Sequence, residues 1–199
     1  MAEKEKPKIA RIRIDLRHVE PCVRRCVDVP ISASLDSLHW IIQTAMGWDN
    51  DHMHEFEIGG RRYEHHEPFF DVGDHDSEVI SSRAIDLAGI IAQGVKKFVY
   101  LYDFGDNWTH EINIGRVRDG KSGEKFPLLI DASGRCPPED CGGAWGYADL
   151  LEVLGDPAHK DHEEMLEWCG EFDPQEIDEQ GIQANLWRVP IVPKSDSLG

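Results

Sequence analysis

Apolar and polar positions alternate with a period of two at several places along the chain. Ile12 and Ile14 alternate with Arg11, Arg13 and Asp15, the mark of a half-buried strand. Pro21–Pro30 reads as a second strand with Val23, Val27 and Val29 on one face and Cys22, Arg24 and Cys26 on the other. His52–Ile58 alternates strictly, and Gly59-Gly60 turns it into Arg62-Tyr-Glu. Phe98, Tyr100 and Tyr102 form one more alternating run. After Gly105-Asp-Asn, Trp108, His110, Ile112 and Ile114 share a face of its partner strand. Gly, Asp and Asn tolerate positive φ, so residues 103–107 suit a hairpin turn.

The period lengthens to that of a helix elsewhere. Leu35, Leu38, Ile42 and Ala45 recur at helical spacing, with Ser34 as N-cap and Gly47 as stop. Ser81 or Ser82 is expected to cap a short helix carrying Ile85, Ala88 and Ile91, ended by Gly94. Helices are also expected near residues 147–154 and 158–169, then through Ile177, Ile182 and Leu186. Residues 65–82 are acidic and broken by Pro and Gly, and read as a long loop, a candidate lid. The fold class that follows is α+β. It is a single domain over 9–187, mainly antiparallel sheet packed with helices and helical toward the C-terminus. Flexible tails are expected at 1–8 and 188–199.

Two stretches carry most of the chemistry. Tyr100–His110 puts Tyr102, Asp103, Asp106, Trp108 and His110 around one tight turn. His110 falls with the apolar residues, so it points inward and needs hydrogen-bond partners, which Asp103 and Asp106 are near enough in sequence to supply. Cys136–Gly143 has two prolines that stiffen it and two glycines that permit close approach. Such a loop would fix Glu139, Asp140 and Cys141 in direction. The expectation is that these two corners converge on one spot and form a ligand-binding surface. The plainer alternatives are a satisfied core histidine and a loop whose carboxylates cap the next helix.

Six of the ten histidines lie between His39 and His75. His52 and His54 share a strand face, and with Asp103 and His110 they are the candidate metal ligands, a divalent ion being the cofactor such a set admits. Cys22 and Cys26 lack a second pair at zinc-site spacing.

Charge narrows the partners. Lys and Arg number 21 against 38 Asp and Glu, a formal net charge of −17. A phosphate backbone would be repelled, since Arg11, Arg13, Arg17, Arg24 and Arg25 form only a modest basic cluster. Nucleic acid is therefore disfavoured, and the expected partner is an unknown protein or small-molecule ligand. No apolar run approaches the ~20 residues of a membrane span. The charged opening Met1–Lys6 and five cysteines, an odd number, point to a cytoplasmic protein with no membrane partner. Asp103-Phe-Gly does not indicate a kinase, because neither a Gly-rich nucleotide loop nor a His-Arg-Asp catalytic loop accompanies it.

The order of motifs resembles the plasmid pRiA4b ORF-3-like family. The resemblance rests on Leu38–Trp48, Asp51–Phe56, Tyr100–His110, Pro137–Gly143 and Phe172–Pro174, and spans about residues 9–187. It implies an α+β fold and no established activity. Cys22, Cys26 and Cys136 lie outside the family pattern. Some relatives are labelled transposon resolvases, but this chain has no early nucleophilic serine among arginines and no basic helix-turn-helix. An association with mobile genetic elements is what remains of that label.

Three function classes stay open, and whether the chain is an enzyme is left undecided. The favoured one is a ligand- or protein-binding module. The second is a metal-assisted hydrolase using His52, His54, Asp103, Asp106, His110, Glu139 and Asp140, with Cys141 or a metal-bound water as nucleophile. The third, a DNA-transaction protein of resolvase type, is disfavoured by charge.

Overall fold

The computed structural model describes residues 6–65 and 79–195. The alternating runs become one mixed sheet. β1 (Lys8–Leu16) pairs antiparallel with β2 (Arg24–Pro30), setting Ile12 opposite Val27. On its other edge β1 takes β7 (Trp108–Asp119), the second half of a hairpin begun by β6 (Lys97–Tyr102). β3 (His54–Ile58) pairs with β6, with His54 opposite Tyr102, and turns through Gly59-Gly60 into β4 (Arg61–Glu64). β5 (Ile80–Ser81) closes one edge, parallel to β4, and β8 (Leu128–Ser133) closes the other on β2. The order is β5-β4-β3-β6-β7-β1-β2-β8. The chain is thus a mostly antiparallel α+β domain.

One face of this sheet is covered by α1 (Leu35–Met46). Its apolar stripe Leu35, Leu38, Ile41, Ile42 and Ala45 is fully buried. Ser34 caps it by accepting from the Ser37 N–H, and Gly47 ends it at φ +89°, a conformation that a Cβ penalises. From the sheet, Ile12, Ile14, Val27, Phe56, Tyr100 and Ile112 meet this helix in one core. α2 (Leu87–Ala92), α3 (Gly143–Gly155), α4 (His162–Cys169) and α5 (Glu179–Leu186) follow, with α5 beside α1 and against β8.

The structure corrects several sequence expectations. The second strand begins at Arg24 rather than Pro21. α2 is capped by Asp86, whose side chain accepts from Gly89 N at 2.8 Å. Ser81 instead caps a separate 3-10 turn at Ser82–Ala84. The C-terminal stretch is bound well beyond residue 188. Ser34 N donates to Val192 O at 3.0 Å, Val192 N donates to Ser37 Oγ at 2.8 Å, and Ser195 N donates to Arg83 O at 2.9 Å. The Ser34 N–H lies outside the hydrogen-bond ladder of α1, and the tail supplies its acceptor. Most of the expected loop at 65–82, and with it the lid, lies outside the described residues, as do residues 1–5 of the N-terminal tail.

Candidate functional site

The two corners meet. The β6–β7 turn winds tightly because Asp103 and Asn107 adopt positive φ (55° and 59°). Asn107 N closes the turn onto Asp103 O at 2.7 Å, and Asp103 Oδ1 accepts from Gly105 N at 2.8 Å. Asp106 then reaches across the fold, and its Oδ2 accepts from Gly142 N at 3.1 Å. Gly142, N-cap of α3, offers no side-chain hydrogen bond, so the Asp106 carboxylate meets one of the free N–H groups at that helix start.

Glu139 is the second link. It accepts a hydrogen bond from the Tyr102 hydroxyl and another from Asp49 N at 2.7 Å. Burial and the Glu139 carboxylate push the Tyr102 phenol well above its ordinary pKa. Trp48 stacks on Tyr102 with centroids 5.1 Å apart, and its Nε1 donates to Pro137 O at 2.9 Å. The stiff Pro137-Pro-Glu loop is thus bonded both to the end of α1 and to the end of β6.

His52 bridges these corners. Its Nδ1 lies 3.7 Å from Asp103 Oδ2 and its Nε2 lies 3.2 Å from Asp140 Oδ1. One ligand atom from each of His52, Asp103 and Asp140 falls within 4.8 Å of the others. A set of one imidazole and two carboxylates suits a hard or borderline divalent ion. Asp140 holds its place at φ 58° and is exposed, which leaves this side open to solvent.

The other candidate ligands do not join that trio. The ring of His54 stacks flat on that of His39, with centroids 3.5 Å apart and planes 7° from parallel. Burial, with the nearby charges of His54 and of His65 respectively, pulls His39 to about 3 and His54 to about 4. His110 is fully buried behind Trp48 and Tyr100. Its Nδ1 donates to Trp108 O at 3.1 Å, so Asp103 and Asp106 are not its partners. Alternation correctly gave the face of His110, but both aspartates turn their carboxylates toward loop backbone instead. Desolvation pulls His110 to about 4. Trp108 is equally buried and its indole N–H has no hydrogen-bond partner among the described residues. Cys141 is half-buried, and desolvation with the carboxylate of Asp106 pushes its thiol up to about 12. That is the reverse of an activated nucleophile.

Beside the trio lies a cavity of about 290 Å³, lined in part by His39, His52, His54, His65, Asp36 and Trp40. Behind its wall, His39 joins a polar relay. Gln43 Nε2 donates to the Tyr100 hydroxyl at 2.9 Å, and the hydroxyl lies 2.8 Å from His39 Nδ1. Next to His39, His54 Nε2 is buried with no hydrogen-bond partner among the described residues. Half-exposed Trp40 and Phe104 and the exposed Met53 also line the cavity. His39, Gln43 and Arg25 were not singled out by sequence reasoning as site residues. The signal for His39 is its place four residues after Leu35, on the apolar stripe of α1. The signal for Arg25 is its place between Val23 and Val27 on the apolar face of β2.

Four arginines of the basic cluster are ion-paired. Arg11 meets Asp28, Arg13 and Arg24 meet Asp15, and Arg17 meets Glu111. Among the described residues no helix is long and apolar enough to cross a membrane.

The comparisons agree with this fold. A curated relative, "Uncharacterized protein y4hQ" of Sinorhizobium fredii (strain NBRC 101917 / NGR234), is 43% identical over 168 residues, which is 83% of this chain and 82% of the relative. A crystal structure of "Protein of Unknown Function MM3350" from Methanosarcina mazei Go1 superposes with a TM-score of 0.79 at 29% identity, over 90% of this chain and 98% of that one. The sequence profile described as "Plasmid pRiA4b ORF-3-like protein" matches residues 8–181. On that match, the chain belongs to the plasmid pRiA4b ORF-3-like family.

Proposed function

We propose that this protein is a binding module for a small polar ligand seated in the histidine-lined cavity between α1, β3 and the β6–β7 turn. The observation that carries this reading is that His54, a residue lining that cavity, has a buried Nε2 with no hydrogen-bond partner among the described residues. Buried polar atoms are almost always satisfied, and a bound ligand is one way to satisfy this one. His39 and His54 stay neutral down to acid pH, so these rings present hydrogen-bonding rather than charged groups. Trp40 and Phe104 supply apolar surface at the mouth, the usual composition of a small-molecule site. The family name suggests association with plasmids or other mobile elements. The paired arginines and the net charge of −17 leave little basic surface for DNA. Native mass spectrometry of protein isolated at low salt tests the proposal. Wild type is expected to carry a small-molecule adduct that Trp40→Ala and His54→Phe lose. Bare masses for all three, together with no stabilisation by any small polar compound in a melting screen, would remove it.

A second reading rests on a separate observation, the closeness of His52, Asp103 and Asp140. It is metal-assisted hydrolysis, in which these three would hold a divalent ion beside the cavity and the ion would supply an activated water. Uptake of zinc or manganese by the protein is its first requirement.

A further inference from the structure

A second and larger cleft lies behind the Pro137-Pro-Glu loop, between that loop, the end of α1 and the segment leading into α5. Its volume is about 780 Å³, and Arg25, Trp48, Arg135, Phe172, Ile177 and Ile182 are among the residues lining it. Arg25 is only 1% exposed. Its Nε donates to Ala45 O at 2.7 Å, and its Nη1 donates to Arg24 O, Ser133 O and Gly134 O at 2.8, 3.0 and 2.9 Å. All four acceptors are neutral carbonyls. The Nη2 group has no partner among the described residues, and no carboxylate there is within ion-pair distance, Glu179 acting on the guanidinium only from further away.

This arrangement is unusual on physical grounds. A guanidinium stays protonated in proteins, and a buried charge is normally paired. The neighbouring Arg11, Arg13 and Arg24 each have a carboxylate; the most deeply buried arginine does not. The carbonyl at the end of α1 brings partial negative charge to Nε, and the other carbonyls satisfy Nη1, but neither reaches Nη2. Arg135 lines the same cleft and also lacks an ion pair among the described residues. Its guanidinium lies 4.5 Å from the Phe172 ring centroid, and Nη1 donates only to Glu171 O at 3.3 Å.

We propose that this cleft binds an organic monocarboxylate, whose carboxylate is received by Arg25 and Arg135 and whose apolar body lies against Phe172, Ile177 and Ile182. The two arginines supply the forked donors that a carboxylate matches. The apolar lining calls for a ligand with a carbon body rather than a bare inorganic anion. Asp49, Glu139, Glu176 and Asp178 also border the cleft and outnumber the two arginines, so an anion is held there only in direct contact with the guanidinium groups, and a dianion meets more repulsion than a monoanion does. The site is separate from the histidine cavity, and it stands or falls without it.

The experiment is titration calorimetry of the full chain with benzoate, with acetate as a probe lacking the body and inorganic phosphate as the dianion, all at one ionic strength balanced with chloride. Benzoate is expected to bind with one-to-one stoichiometry and more tightly than acetate or phosphate. Arg135→Gln, a substitution at a partly exposed side chain, is expected to weaken it by about tenfold or more. Arg25→Lys is expected to weaken it further where the variant folds, and His54→Phe is expected to leave it unchanged. No heat with benzoate, or equal affinity in wild type and Arg135→Gln, overturns the proposal. Tighter binding of phosphate overturns the ligand class. Loss of benzoate binding in His54→Phe would place the ligand in the other cavity and overturn the site.

Discussion

Gly143, at the head of α3, lies against the backbone carbonyl of Asp106 so closely that a β-carbon there would overlap the oxygen. Its φ of +68° is also a conformation that favours glycine. This contact and the Asp106–Gly142 hydrogen bond clamp the two corners together. Gly143→Ala is expected to cost about 1–3 kcal/mol, measured by urea unfolding. A variant as stable as wild type would mean that the corners can separate without penalty.

Tyr102 and Glu139 form the other clamp. A carboxylate accepting from a phenol is a charge-assisted bond, and Glu139 also holds Asp49 N. A double-mutant cycle of Tyr102→Phe and Glu139→Gln is expected to give a coupling energy of ~1–3 kcal/mol. Strictly additive losses would show that the pair is incidental to stability.

Acid should destabilise this protein in a defined window. His39, His54 and His110 ordinarily titrate near 6.5 and are pulled to about 3, 4 and 4 in the fold. Between those values the unfolded chain binds more protons than the folded one, so stability rises with pH through the window and is lost as pH falls from 6.5 toward 4. For His110, removed from water and set apart from the stacked pair, the loss is roughly 3 kcal/mol. His110→Gln keeps a donor for Trp108 O and removes the titration. Its stability between pH 6.5 and 4 should fall less steeply than that of wild type. Parallel curves would assign the acid sensitivity to other groups.

Much of this architecture can be read from local pattern. The alternation around His110 gave its face, and the spacing of Leu35, Leu38, Ile42 and Ala45 gave α1 with both of its caps. Turn chemistry at residues 103–107 gave the hairpin, and the Pro-Pro and Gly-Gly pairs gave a stiff loop that does meet it. What pattern could not give was partnership across distance. Tyr100 meets His39 from 61 residues away, and periodicity carries no information about such pairs. Asp86 was missed as a cap because Ser81 and Ser82 offered an earlier one. Arg25 belongs in sequence to the modest basic cluster, but its position between two core valines puts it inside. His52 lies in the bend before β3, not on a strand face shared with His54, and stacking on His39 takes the His54 ring away from the trio.

The metal-assisted reading can be separated from the binding reading by one titration. His52, Asp103 and Asp140 come from a loop before β3, the β6–β7 turn and the stiff loop before α3, so an ion held by all three ties together segments that an unfolded chain leaves apart. Binding to the folded state alone stabilises by RT ln(1 + [L]/Kd), about 2.7 kcal/mol at a hundredfold excess over Kd. For a chain of this size that is a rise in melting temperature of roughly 5–10 °C. Protein stripped with chelator and then given manganese or zinc should show that rise. Asp140→Asn, at an exposed side chain, should abolish it without changing the melting temperature of the stripped protein. His54→Phe should keep the rise, because that ring lies outside the trio. An unchanged melting temperature in wild type across both metals would end the hydrolase reading and leave the binding module standing alone.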